Sequence, residues 1–391
     1  MPIALYALAM INFAIGTQGF AFAGVLPEMA SDLGVSVAQA GWLIAATSIT
    51  YAIGAPIATG LVGNIERRRI IAIGLAALTL VNLACAFAPS HTALMGLRIL
   101  AGIATAFAGS LTTVAAASLV SADKRGKAFA IVTGGLTIAF VIGVPLGSVI
   151  GGAFDWRATF LFSAAVSVAS LALILAIVPR IDPAPGPKFR LSDITSNRPV
   201  LYVLALTLLG FVALFTVVAF VGPVVTRMTG ATGAGVGAIQ VFVGIGSIAG
   251  LALGGWLADR GDFRVGTSGV FIIIIATLCS YYITLGVTPG SVPSSLVALQ
   301  TFTGATALFA LVPLNLTEIT RWAGTATPIA LAVNSSLVAL GQGLGAVWGG
   351  WLTDNFEMAM MGPGGAVVAL VGLAMIALKR KPVLNKNERV S

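Results

Sequence analysis

The sequence predicts an all-α integral membrane protein, with twelve transmembrane helices in two pseudo-symmetric six-helix bundles. Three observations predict it. Apolar residues make up 58% of the 391 and charged residues only 9%. The apolar residues fall in long continuous runs rather than alternating with polar ones. The basic residues collect in every second loop between those runs.

The composition fixes the solvent. An ordinary soluble domain carries about 25% charged residues. A chain with 9% cannot cover a water-facing surface, so most of its exterior must face lipid. The formal net charge of +8 does not indicate nucleic acid, because no basic patch with interleaved aromatics is present. Cys85 and Cys279 both lie inside apolar runs; neither a disulfide nor a metal site is expected. His91 falls in a short loop after Pro89 and receives no role.

A spanning helix needs roughly 20 mostly apolar residues, and only helices or closed barrels satisfy the backbone in lipid. Continuous rather than alternating runs select helices. The chain begins MPIALYALAM, without a charged leader segment or a small-residue cleavage site, so the first run reads as a spanning helix. Spans are placed at about 3–27, 38–62, 70–88, 93–119, 128–152 and 159–179. A polar linker, 180–199, with four prolines and repeated charges, follows. Six more spans fall at about 200–223, 234–257, 267–287, 294–316, 327–350 and 361–378. The domains are thus 1–179, the linker, and 200–391, which ends in a short basic tail.

Charge sets the orientation. With the N-terminus inside, 18 of the 21 Lys and Arg lie in inside segments. These include Arg67 to Arg69, Lys124, Arg125, Lys127, Arg260, Arg264, Arg321 and the tail. Only Arg157 and Arg227 lie outside, and Arg98 lies within a span. By the positive-inside rule both termini and the linker are cytoplasmic, and the expected location is the cell's inner or plasma membrane.

The halves echo one another. Gly60, Gly63 and Asn64 after the second span, soon followed by Arg67, correspond to Gly255, Ala258 and Asp259 after the eighth, followed by Arg260. Spans 5 and 11 end in Gly151-Gly152 and Gly349-Gly350, followed by Trp156 and Trp351. Repeated six-helix halves around a midplane site are the plan of many secondary transporters.

Several motifs then resemble the major facilitator superfamily, and in particular its twelve-span drug and metabolite efflux branch of arabinose-efflux-like, chloramphenicol-resistance-like and purine-efflux-like permeases. The loop after span 2 resembles the signature GxxxDRxGRR through Gly60, Asn64, Ile65, Arg67, Arg68 and Arg69. The signature's acid is Asn64 here, while the second copy keeps Asp259 beside Arg260. These residues either set topology and packing or, as the resemblance implies, gate the conformational change. Arg98 with Gly102 matches an RxxxG element. A charge in a span costs roughly 2.5–3.5 kcal/mol on insertion scales, so Arg98 either snorkels to the outer interface or serves the transport path. Span 5, with Gly143, Pro145, Gly147, Gly151 and Gly152, resembles an antiporter motif; its glycines serve close packing or coupling. Trp156, Arg157 and Phe160 match a WRxxF run.

Span 1 carries Gly16-Thr17-Gln18-Gly19-Phe20, where the family pattern is GTxEF, so the pattern's intramembrane acid falls on Gly19. No Asp or Glu lies deep in any span; Glu28 and Glu318 sit near span ends. Polar residues within spans are Asn12, Gln18, Asn82, Thr105, Gln240, Gln300, Asn315, Asn334 and Gln342. The resemblance implies that spans 1, 4, 7 and 10 line the cavity, which selects Asn12, Gln18, Arg98, Thr105, Phe211, Phe215, Gln300 and Asn315. A mostly neutral pocket with aromatic faces suits a neutral or amphipathic solute.

The expected function is secondary transport of a small molecule, in the efflux direction and coupled to protons as the resemblance implies. An uncoupled facilitator or importer, or a non-transporting receptor, are the alternatives. Nothing supports an enzyme, a cofactor or an ATP-binding loop. A short linker between self-contained halves points to a monomer.

Overall fold

Apolar runs in lipid leave the backbone to satisfy its own hydrogen bonds, and the runs of this chain are helical. The computed structural model describes residues 1–61, 65–121, 124–181 and 192–378. Asn64, Lys188, Arg190 and the basic tail from Lys379 onward lie outside the described residues.

The first span is broken. Helix α1 (Ala4–Phe20) gives way to a 3-10 turn at Ala23–Val25, and α2 (Leu26–Leu33) completes the crossing. Helix α2 starts with Pro27 in its first turn and ends at Gly34, whose φ of 64° closes it with a left-handed cap. Then follow α3 (Val37–Leu61), α4 (Arg67–Ala86), and α5 (His91–Gly109) with its continuation α6 (Thr112–Ser118). Span 5 comprises α7 (Arg125–Ile138), a π-helical segment (Ala139–Gly143) and α8 (Val144–Ala153). Helix α9 (Trp156–Ile177) ends this half.

The second half begins with the single turn α10 (Ser192–Thr195), then α11 (Arg198–Val218) and α12 (Val221–Thr229). It continues through α13 (Ala234–Asp259), α14 (Phe263–Leu285), α15 (Ser294–Ala323), α16 (Thr327–Asn355) and α17 (Met361–Leu378). Among the described residues, 11 helical stretches are long and apolar enough to cross a membrane. The longest, Ser294–Asn355, holds two helices of 30 and 29 residues, α15 and α16, divided at Gly324 with φ of 53°. Each is longer than the roughly 20 residues a crossing needs.

The helix starts are legible in local chemistry. Ser90, Asp155, Asn197 and Asp262 each accept a hydrogen bond from a backbone N–H in the first turn of α5, α9, α11 and α14. The π segment has a sequence cause. Pro145 has no N–H to offer the carbonyl of Val141, and the Val144 N–H reaches back to Ala139 O instead.

Small residues bring helices close, as lipid-facing bundles require. Gly246, Gly250 and Gly254 on α13 lie against the carbonyls of Phe302, Thr306 and Ala310 on α15, and a Cβ at any of them would overlap those oxygens. Between the halves the same device recurs. Gly41 meets Phe220, Gly152 meets Gly233, Gly222 meets Ala23 and Gly24, Gly244 meets Val141, and Gly350 meets Trp42. All of these contacts lie between mid-height and the end of the bundle that carries the Gly34, Phe154 and Gly233 loops. At the other end Ile53, Ile57 and Leu61 of α3 are 54–71% exposed.

Candidate functional site

The break after Phe20 leaves helix-terminal carbonyls of α1 inside the bundle, where water cannot satisfy them. Arg98 of α5 fills this role. It is 0% exposed, donates through Nη2 to Gln18 O at 3.0 Å, and donates through Nη1 to Gln18 Oε1 at 3.0 Å. Gln18 Nε2 in turn donates to Thr105 Oγ1 at 3.2 Å. The guanidinium lies 4.9 Å from the Phe22 ring and 5.7 Å from the Phe160 ring. Three of the anticipated pathway residues thus form one network, enclosed within the first bundle in this conformation. No carboxylate pairs with Arg98 among the described residues. Cation–π contacts and neutral acceptors hold the charge instead.

The other anticipated residues fall in separate places. Asn12 donates to Val132 O at 2.8 Å, tying α1 to α7. Asn315 donates to Thr207 Oγ1 at 2.9 Å, and Thr207 donates to Asn334 Oδ1 at 2.8 Å, which links α15, α11 and α16. Gln300 donates to Ser280 Oγ and Thr284 Oγ1 at 3.0 and 3.2 Å, facing α14. Phe211 and Phe215 stack at 6.1 Å.

Phe215 also belongs to a chain of rings that crosses between the halves. Phe20 lies 5.7 Å from Phe215 and 5.5 Å from Phe140, and Phe140 lies 5.6 Å from Phe309. Phe20, Phe140 and Phe309 were not among the residues selected from sequence. Their signal was weak, because aromatics in apolar runs look alike until the helices are packed. An apolar cleft next to Phe140 is lined by Phe215, Phe309 and several valines, with Tyr281 and Thr301 as its polar members.

Beyond the rings, Ser148 of α8 donates to Gln240 Oε1 of α13 at 2.6 Å. Both side chains are buried, and Gly24 packs directly on them. Nearer the rim, Ser36 donates to Asp354 Oδ2 at 3.2 Å across the halves.

The anticipated gating residues divide in the same way. Gly143 and Gly147 seat α1, with Thr17 and Ala21 where a side chain would go; Pro145 O lies beneath Gly237. Arg68 donates to Leu175 O at 2.5 Å, on α9 of its own half. Arg260 stacks on Trp256 at 3.7 Å, and neither it nor Asp259 makes an ion pair among the described residues. Gly60 faces open space.

Acids stay at the edges. Asp32 pairs with Arg157 at 2.7 Å and accepts from Trp156 Nε1 at 3.1 Å at the rim, and Glu28 is exposed. Glu318 accepts from Trp322 Nε1 at 2.6 Å near the other end. Gly19 has nothing within 4 Å of a would-be Cβ. No cluster of metal-ligating side chains occurs among the described residues.

The architecture and sequence both have known counterparts. The profile of the Major Facilitator Superfamily matches residues 8–327. An inner membrane transport protein of Escherichia coli (strain K12), YdhP, is 32% identical over 379 residues, 96% of each chain. A chloramphenicol resistance protein of Streptomyces lividans is 35% identical over 270 residues, covering 68% of this chain and 69% of its own. Among solved structures, a peptide transporter, POT, superposes with a TM-score of 0.80 at 13% identity, covering 96% of this chain and 94% of that one. A bacterial homologue of the human lysosomal transporter Spinster, inward-facing and occupied, gives 0.68 at 18% identity, covering 96% and 92%. The chain is therefore a membrane transport protein without enzymatic chemistry, and it belongs to the major facilitator superfamily.

Proposed function

We propose that this protein is a secondary transporter that moves a small neutral or amphipathic solute across the inner membrane by alternating access, as an efflux permease. The observation that carries this reading is the one-sided seal between the halves. Small residues, the Ser148–Gln240 bond and the ring chain Phe20–Phe215 and Phe140–Phe309 close one end, and none of them is charged. The basic loops at the opposite end support a cytoplasmic location for that end, and the conformation then reads as inward-facing. Segments 1–179 and 200–391 then act as the two moving bodies, and one copy of the chain suffices.

The solute class rests on the residues that the family resemblance assigns to the cavity. Phe211, Phe215, Gln300 and Asn315 offer aromatic faces and neutral polar groups, and the buried acid Glu318 lies near the other end of the bundle, where it accepts from Trp322 Nε1. The relative named for chloramphenicol resistance makes a neutral amphipathic drug the first candidate; sugars and nucleosides come next. Arg98, Gln18 and Thr105 position α1 for this cycle, and Gly60, Asn64, Arg68, Asp259 and Arg260 latch the cytoplasmic end when it closes.

Uncoupled flux is the second reading, and Gly19 favours it. The resemblance that implies proton exchange places its acid there, and no other acid reaches mid-membrane among the described residues. Proteoliposomes loaded with chloramphenicol, uridine or arabinose, with and without a pH gradient, test both. Efflux transport predicts flux of at least one solute that accumulates uphill with the gradient. Facilitation predicts equal flux with and without it. No flux of any solute above that of empty vesicles would sink the transport reading.

A further inference from the structure

The cleft beside Phe140 has a chemistry of its own. It is a slot so thin that little more than a water molecule fits at any point. All but one of its walls come from the second half: Phe215, Phe309, Leu308 and the valines of α11 and α12. The remaining wall is Phe140, which enters from the π segment of the first half. Parting the halves therefore removes one side of the slot and widens it.

The polar groups in the cleft and just behind it are short of donors. Thr301 gives its hydroxyl proton to Val297 O at 2.8 Å, so the Tyr281 hydroxyl must donate to Thr301 Oγ1, at 3.3 Å. That leaves the lone pairs of Tyr281 Oη without a donor among the bonds described. In the same layer Ser280 donates to Thr277 O and Thr284 donates to Ser280 O. Gln300 spends its amide N–H groups on those two hydroxyls, and its Oε1 is buried with no partner. A buried acceptor without a donor is costly. Among the described bonds, the layer between α14 and α15 thus has acceptors to spare, while its donors are engaged.

We propose that this cleft is the collapsed form of a binding subsite for an uncharged, mainly apolar molecule with one hydroxyl, which donates to Tyr281 while its body takes the place of Phe140 against Phe215 and Phe309. The proposal rests on the transport reading, because the subsite opens only if the halves part. A carboxylate would meet acceptors alone and is rejected. An apolar molecule of the same shape without the hydroxyl binds, but more weakly.

The test is calorimetric titration of the full-length detergent-purified protein with 1-naphthol and 1-methoxynaphthalene, subtracting partition into empty micelles. One hydrogen bond of ordinary strength gives 1-naphthol about a fivefold advantage. Tyr281→Phe should bring the ratio to about one and leave 1-methoxynaphthalene unchanged. Gly304→Leu, which adds bulk to the cleft wall between Leu214 and Thr277, should weaken both probes at least tenfold while the protein stays monodisperse. A ratio near one in the unaltered protein, an unchanged ratio in Tyr281→Phe, or unaltered binding in Gly304→Leu would each overturn the subsite. Binding is read here without flux. Retained binding with no flux of any solute fails the transport reading alone, and flux with no hydroxyl preference fails the subsite alone.

Discussion

Arg98 caps the broken end of α1 by donating to the backbone oxygen of Gln18 at 3.0 Å, in the interior of the protein. The same guanidinium holds the Gln18 side chain at 3.0 Å. One fully buried cation thus fixes both the backbone and the side chain at the point where the first crossing bends.

Removing it should be costly. Arg98→Ala leaves Gln18 O and Oε1 without donors, and each buried unsatisfied group costs about 1–3 kcal/mol. The expected result is a clear fall in the thermal midpoint of the purified protein, read by intrinsic fluorescence. Arg98→Lys keeps the charge but lacks the planar fork that serves two acceptors. It should recover less than half of the loss.

Ser148→Ala breaks the buried bond to Gln240 across the sealed end. A buried hydrogen bond is worth about 1 kcal/mol, close to a fivefold change in population. Spin labels at Ser31 and Val287, both exposed at that end, should show a larger fraction of long distances in the variant. An unchanged distance distribution would remove this bond from the seal.

Gly19→Glu meets no clash at its first side-chain carbon, since nothing lies within 4 Å of where that Cβ would sit. It restores an acid where the family pattern has one. If the unaltered protein works as a facilitator, its flux is indifferent to a pH gradient, and the variant should become sensitive to it. A variant that transports as before at every pH, with and without a gradient, would show that this position does not govern coupling.

Two glycines separate packing from gating. Gly74→Ala puts a methyl 2.7 Å from Ala108 N and 3.1 Å from Ala104 O, both backbone atoms that cannot move aside. It should lower stability by about 1–3 kcal/mol, the usual cost of overpacking. Gly60→Ala meets nothing in this conformation, and an alanine in a helix gains about 0.5–1 kcal/mol over glycine. A protein that melts no lower yet transports more slowly would place Gly60 in the closed cytoplasmic end of the cycle.

Much of the fold is legible in the sequence because lipid imposes a simple rule. Twenty apolar residues in a row must be helical, and the loops carry their own caps, as at Ser90 and Asp262. The breaks within spans are harder to read. The run at 3–27 looks like one helix, yet the structure divides it at Ala23–Val25. Pro27 is a local sign of a new helix start, but the partner of the freed Gln18 carbonyl, Arg98, lies 80 residues away. The site was legible in parts. Gln18, Arg98 and Thr105 meet in one network, while Gln300 and Asn315 face different neighbours. Phe20, Phe140 and Phe309 could not be picked from sequence, because their contacts join helices more than a hundred residues apart.

The π segment at Ala139–Gly143 carries slack. A π turn accommodates one residue more than the α-helix it interrupts. Removing that residue would wind α7 and α8 into one even coil and turn everything beyond it by about 100°. Phe140 sits at the start of this slack and Ser148 beyond it, one in the ring chain and one in the seal. A single-residue deletion here would therefore put the two out of phase, so that either the rings or the seal could engage, but not both together.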